Sequence, residues 1–168
     1  MKRVLIILCI GMLLLSGCHG APPESAVPNL ATEKELPFTF RALLSGMELE
    51  LTTPLLISSP QELEDFEQQR EVDLSIDLPD GEPYTEVFFG DSVLLLIEGS
   101  CPFIPQAFWV EQVKKEGKHI TVCTVQGAPA GGDEAFGHCL MGVELNKADA
   151  EGCTFSVEFR EQDVIMAY

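Results

Sequence analysis

With 168 residues, the chain has room for one folded domain of ordinary size. Its 27 acidic against 10 basic residues give a formal charge of −17, and so negative a surface repels phosphate backbones and anionic headgroups, which excludes nucleic acid and lipid headgroups as ligands of the domain. The plain role of such charge is solubility.

Met1-Lys2-Arg3 opens the chain with positive charge, and Val4 to Leu15 (VLIILCIGMLLL) follows as an apolar run, the layout of a secretory signal. As a helix this run would rise about 18 Å, short of a hydrocarbon core about 30 Å thick. Cleavage is therefore expected rather than a permanent span. The run closes on Leu15-Ser16-Gly17-Cys18, which resembles the lipobox of bacterial lipoproteins. That resemblance implies that residues 1–17 are a signal peptide and that Cys18 is the lipid attachment site, its thiol being the nucleophile that accepts a diacylglyceryl group. Two or three acyl chains hold a protein firmly where one does not, so the chain is expected on the extracytoplasmic face of a bacterial cell membrane, anchored through Cys18. Residues 18–35, rich in Pro and small or polar residues, read as a flexible tether. Residues 36–168 read as a single β-rich domain.

Phe38 to Leu44 and Glu48 to Leu51 flank Ser45-Gly46 and suggest a short hairpin. Leu55-Leu56-Ile57 leads into Ser58-Ser59-Pro60-Gln61-Glu62, where Ser59 suits a helix cap, Pro60 the first helical position and Glu62 the far side of a capping box. A helix from Pro60 to about Arg70 follows, with Leu63 and Phe66 as its apolar stripe. Glu71 to Pro83 breaks at Pro79-Asp80-Gly81 and reads as a loop or edge segment.

From Tyr84 the chain is strand-like. Val93 to Ile97 is continuously apolar, which predicts a strand covered on both faces. Phe108 to Val113 and His119 to Val125 form a second and third strand around the polar Lys114 to Lys118. Gly127 to Gly132 (GAPAGG) is expected to be a loop, Cys139 to Leu145 a fourth strand, and the alternation of Cys153, Phe155, Val157 and Phe159 with polar residues a fifth, buried on one face. The expected class is mainly β, with α+β as the alternative: an antiparallel sandwich-like or meander domain with one short helix.

Several stretches carry a likeness. YTEVFFGDSVLLLIEG from Tyr84, FWVEQVKKEGKHITV from Phe108, the Pro/Gly loop, and Asp133-Glu134-Ala135-Phe136 running into LMGVELNK together resemble the small C-terminal domain of PrcB, a lipoprotein subunit of a bacterial protease complex, found also in Gram-positive lipoproteins. The likeness spans residues 84–160, with a departure at Gly99 to Pro105. It implies a β-rich accessory module without catalytic activity and names no ligand.

Four cysteines remain in the exported part, Cys101, Cys123, Cys139 and Cys153, and an even count outside the cytosol suggests two disulfides. In a meander the end of the first core strand and the start of the fourth share an edge, which favours Cys101 with Cys139 and leaves Cys123 with Cys153. Free thiols are the alternative. No CxxC pair points to zinc or to a redox centre, and no cofactor is implied. His138 and Cys139 are neighbours on a strand, so they point to opposite faces and make no nucleophile pair. His119, at a hairpin mouth, reads as solvated. Asp133 and Glu134 lack the spaced oxygen ligands of a calcium loop.

Trp109 and Phe136, with Phe103 and Phe108 near them, read first as core. Their other reading is an apolar rim on the 99–106 and 127–138 loops, with Phe103, Trp109, Asp133 and Phe136 meeting a protein partner. The function expected from all this is a lipid-anchored protein-interaction module with an unidentified protein partner. A β-sandwich peptidase inhibitor using the same two loops is the alternative.

Overall fold

Residues 33–74, 84–102, 108–129 and 136–164 are described by the computed structural model, at 100–102, 127–129, 136 and 161–164 for the backbone. The chain divides into two units, Met1–Leu30 and Ala31–Tyr168, and the described residues belong to the second. Its elements are β1 (Lys34–Glu35), β2 (Thr39–Ser45), β3 (Leu55–Ile57), α1 (Pro60–Arg70), α2 (Glu86–Asp91), β4 (Ser92–Pro102), β5 (Phe108–Glu116), β6 (His119–Pro129), β7 (Phe136–Asn146), α3 (Lys147–Ala150) and β8 (Thr154–Val164). They form two sheets, sheet I in the order β1-β5-β6-β8 and sheet II in the order β2-β7-β4-β3.

Alternation along β4 and β7 explains how these layers stack. Val93, Leu95 and Ile97, with Met141, Val143 and Leu145, face one way and meet Val110, Val113, Ile120 and Val122 of sheet I. Leu94, Leu96 and Leu140 face the other way and meet Leu63 and Phe66 of α1 and Phe89 of α2. Sheet II is thus buried on both faces, which is why its central strand reads as an unbroken apolar run. Burial of each such side chain is worth about 1.5–3 kcal/mol.

Helix α1 begins where its residues require. Ser59 Oγ accepts a hydrogen bond from the Glu62 amide at 3.2 Å, and Glu62 Oε2 reaches back to the Ser58 amide at 2.7 Å and the Ser58 hydroxyl at 2.8 Å. The reciprocal half of the capping box therefore falls one residue earlier than in the standard motif.

The mainly β, sandwich-like class agrees with the expectation, while several details differ. Sheet II runs out of chain order, and sheet I pairs strands that are not consecutive in the chain except β5 with β6, so the domain is a sandwich and not a meander. No hairpin forms around Ser45-Gly46. Instead β2 pairs with β7, from Thr39 opposite Glu144 to Ser45 opposite Cys139, and the amides of Leu49 and Leu51 turn to a side chain of β4 rather than to a strand. Tyr84 onward enters helix α2 before β4, because a helical turn brings the Tyr84 and Phe88 rings together at 4.8 Å between centroids. Gly127 to Pro129 belong to β6 and pair with β8. Lys34–Glu35, read as tether, pairs with β5.

The largest difference is direction. β8 pairs with β6 in parallel, from His119 opposite Thr154 to Pro129 opposite Val164. Helix α3 carries the chain from sheet II across to sheet I, so β8 starts at the same end as β6. Asn146 caps that short helix by accepting from the Ala148 amide at 2.9 Å.

Candidate functional site

Register brings the strand ends that flank the predicted loops to one end of the sandwich. Pro102 lies opposite Phe136 and Phe108 opposite Gln126. The strands run further than the sequence suggests, and the segments between them shrink to 103–107 and 130–135, which lie outside the described residues together with Phe103 and Asp133. Cys18 also lies outside them. For Cys101 and Phe136 the backbone alone is described.

Trp109 is half-buried on the face of sheet I away from the core, opposite Val125, whereas its neighbour Phe108 faces inward. The core reading of Trp109 is therefore corrected: a pleat that turns Phe108 in must turn Trp109 out. Phe159 shows the reverse error. The alternation predicts a buried ring, yet it is 52% exposed at the edge of sheet I, where it meets Phe108 edge-on with centroids 6.1 Å apart. Both rings close over Gly99, where a Cβ would lie 3.1 Å from Phe108 and 3.2 Å from Phe159.

The cysteines separate into two cases. Cys139 is buried, lies opposite Gly99, and donates weakly to the Gly99 carbonyl at 3.5 Å. Cys101 lies opposite Gly137, two residues along the same strand pair, so the backbone does bring these two cysteines near each other. Cys123 and Cys153 are not brought together, which corrects that pairing. Cys123 lies opposite Glu158, five positions beyond Cys153, or about 16 Å of strand against the ~7 Å that a disulfide can bridge. Both are free thiols. Burial, and then the neighbouring Glu158 carboxylate, push the Cys123 thiol above its ordinary pKa, so it is the less reactive for it.

The polar feature of this end is one that sequence reasoning passed over. Glu98 follows the apolar run of β4 and points to the helix-side face of sheet II, with its side chain 6% exposed. One oxygen accepts from the Leu49 amide at 2.7 Å and the other from the Leu51 amide at 2.6 Å. His138 Nδ1 stands 3.3 Å from Oε1 of the same carboxylate, and His138 Nε2 stands 3.8 Å from Glu48 Oε2. Arg70 of α1 donates to the Leu49 carbonyl. Beside these groups lies a cleft of about 260 Å³ lined by Glu48, Glu50, Leu51, Thr52, Glu98, Gly99 and His138. The signal for Glu98 was a charged residue at a position where β4 alternation still points inward.

At the opposite end of the same face Arg41 pairs with Glu144, and the Tyr84 hydroxyl stands 3.3 Å from that carboxylate. Burial, reinforced by Glu144, raises the Tyr84 phenol well above its ordinary pKa. His119 is exposed, as expected, and its two ring nitrogens lie 2.8 Å from the hydroxyls of Thr154 and Ser156, tying β6 to β8.

The chemistry open to this arrangement is limited by its own hydrogen bonds. A carboxylate with both oxygens engaged by main-chain amides gives up a structural contact whenever it takes a proton. His138 faces Glu48 and Glu98 while Cys139 points to the other side of the sheet, so the Cys139 thiol does not stand beside the imidazole. Among the described residues no group of three or more His, Cys, Asp or Glu is arranged to hold a metal ion, and no helix is long and apolar enough to cross a membrane. Set beside protein-family models, curated proteins and solved structures, the chain matches none of them.

Proposed function

We propose that the exported chain is anchored by lipid at Cys18 on the outer face of a bacterial membrane, and that its sandwich is a non-catalytic module that engages a protein partner. The observation that carries the reading is the leader: positive charge, a short apolar run, then Leu15-Ser16-Gly17-Cys18. The interaction half draws support from register, since the strand ends flanking 103–107 and 130–135 meet at one end of the sandwich, and from the exposed Phe159 ring on the β8 strand, which β6 pairs with at that end. The likeness to the C-terminal domain of PrcB points the same way.

Metabolic labelling with palmitate tests the anchor: the wild-type protein should incorporate label and Cys18→Ser should not. Equal labelling of both, or full-length unprocessed chain among cytoplasmic proteins, would refute it. Crosslinking in intact cells should recover a protein neighbour through the 103–107 and 130–135 end, and slowing of serine or cysteine peptidases at micromolar concentration would replace the accessory reading with the inhibitor one.

A further inference from the structure

We propose that the outer edge of β8 pairs with the same edge of a second copy of this chain, antiparallel about a twofold axis at Phe159, joining two four-stranded sheets into one of eight. Such pairing needs neither the lipid on Cys18 nor the 103–107 and 130–135 end, so it goes beyond the function proposed above.

Three of the four sheet edges are blunted in ways that discourage a further strand. β1 is two residues long and β3 three, and β2 carries a register shift between Ala42 and Leu44. β8 is different. Its eleven residues, TFSVEFREQDV, hold unbroken register with β6 and include no Pro, Gly or Lys. Among the described residues no strand pairs with its other edge. Two bonds fix how its main chain is turned: the Thr154 amide donates to the Lys118 carbonyl at 2.9 Å, and the Glu158 carbonyl accepts from the Thr124 hydroxyl at 3.0 Å. Even-numbered residues therefore turn N–H and C=O towards β6, and Phe155, Val157, Phe159, Glu161 and Asp163 turn theirs to the outer edge.

What this edge fits best is itself. Phe159 is the midpoint of Thr154–Val164, so pairing about it engages the whole strand. Each outward-turned residue is set opposite another: Phe159 opposite Phe159, Val157 opposite Glu161 and Phe155 opposite Asp163. Such pairs exchange both main-chain hydrogen bonds. The alternate positions set Glu158 opposite Arg160 of the other copy, once on each side of the axis, in the pairs whose side chains come closest. Moving the axis one residue either way sets Glu158 or Arg160 against its own copy, a like-charge contact, and moving it two leaves part of the strand unpaired. Arg160 is already ordered by Glu111 at 2.7 and 2.8 Å, so it loses little freedom on pairing. At the axis the Phe159 rings, each 52% exposed, meet and lose contact with water. The charge of −17 on each copy opposes association, and at about 0.15 M salt it is screened beyond about 8 Å.

The test is sedimentation equilibrium and thiol crosslinking on the purified full chain at about 0.15 M salt. Wild type should dimerise with a dissociation constant on the order of 10–100 μM, the weak range of a small interface. Phe159→Lys places like charges on the axis and should raise that constant about ten-fold or more. Should that variant fold poorly, Glu161→Pro removes one outward N–H, spares the bonds to β6, and should have the same effect. In mild oxidant Phe159→Cys should form an intermolecular disulfide faster than Thr154→Cys. The two axial Cα atoms would lie about 5.5 Å apart, within disulfide reach, whereas the two Thr154 positions would be separated along the strands by about 33 Å. A wild type that stays monomeric well above that range, or equal crosslinking of the two cysteine variants, would overturn the proposal. So would capture of a different protein at Phe159 in cells without any self-pairing. None of these results touches the Cys18 anchor, which palmitate labelling tests.

Discussion

Gly142 sits in the middle of β7 between β2 and β4, opposite Arg41 on one side and Leu96 on the other. A Cβ there would lie 2.9 Å from Leu94 Cδ1 and 3.0 Å from Leu43 Cδ1. Neither neighbour can swing aside, since Leu94 is 0% and Leu43 2% exposed and the space around them is filled by α1 and α2 side chains. Forcing one methyl into such a core costs about 1–3 kcal/mol. Against this, replacing glycine in a strand recovers about 0.5–1 kcal/mol of chain entropy. Gly142→Ala should therefore destabilise by about 1–2 kcal/mol, lowering the melting temperature by roughly 3–8 °C. Urea denaturation of the purified protein measures the loss, and a double-mutant cycle with Leu43→Ala tests its cause. Leu43→Ala alone should cost about 2–5 kcal/mol through the cavity it leaves. Combined with Gly142→Ala the total should fall short of the sum by about 1 kcal/mol, because the new methyl occupies part of that cavity. A Gly142→Ala variant as stable as the wild type, or strict additivity with Leu43→Ala, would show that the helix-side face of sheet II is looser than its packing implies.

Two further outcomes follow from single residues. Glu71 ends α1 in the left-handed region at φ 54°, which costs a side-chain-bearing residue free energy that glycine avoids, so Glu71→Gly should raise stability by about 0.5–1 kcal/mol in the same assay; a loss would mean the Glu71 side chain contributes more than its backbone costs. For Tyr84 the folded state holds the phenolic proton more tightly than the unfolded state, so its contribution is complete below the ordinary tyrosine pKa of about 10 and is lost as pH rises through and beyond that value. Chemical denaturation between pH 9 and 11.5 should show wild-type stability declining more steeply than that of Tyr84→Phe, and parallel slopes would contradict the burial argument.

Burial pattern was the legible part of this fold. Val93 to Ile97 announces a strand covered twice, and the structure covers it with sheet I on one face and helices on the other; Ser59, Pro60 and Glu62 announce the start of α1. These signals are local, since a cap or an apolar run works through residues a few positions apart. Pairing direction is not local. The alternation of Phe155 and Val157 with polar neighbours is the same whether β8 runs parallel or antiparallel to β6, and the choice rests on α3, a four-residue helix. The 48–51 segment misleads for a related reason: it has the alternation of a hairpin strand, but its amides are taken by a carboxylate instead of a neighbouring backbone.

That same carboxylate shows why the site was harder to read than the fold. Glu98 is 47 and 49 positions from the two amides it accepts from and 40 from His138, so no spacing rule joins them, and on the page it is one acidic residue among 27. What distinguishes it is position in a pleat. Two residues after Leu96, on the face that α1 covers, a charge must find partners or unfold the strand end. The chain supplies those partners by leaving 48–52 irregular, so the failed hairpin and the buried glutamate are one feature: the segment does not pair as a strand because its amides are needed to hold Glu98, and Glu98 is tolerated in the sheet because the segment does not pair. Tests at this end of the sandwich should therefore treat the carboxylate, His138 and the 48–52 segment as a unit, since a substitution in one changes the hydrogen bonding of the others.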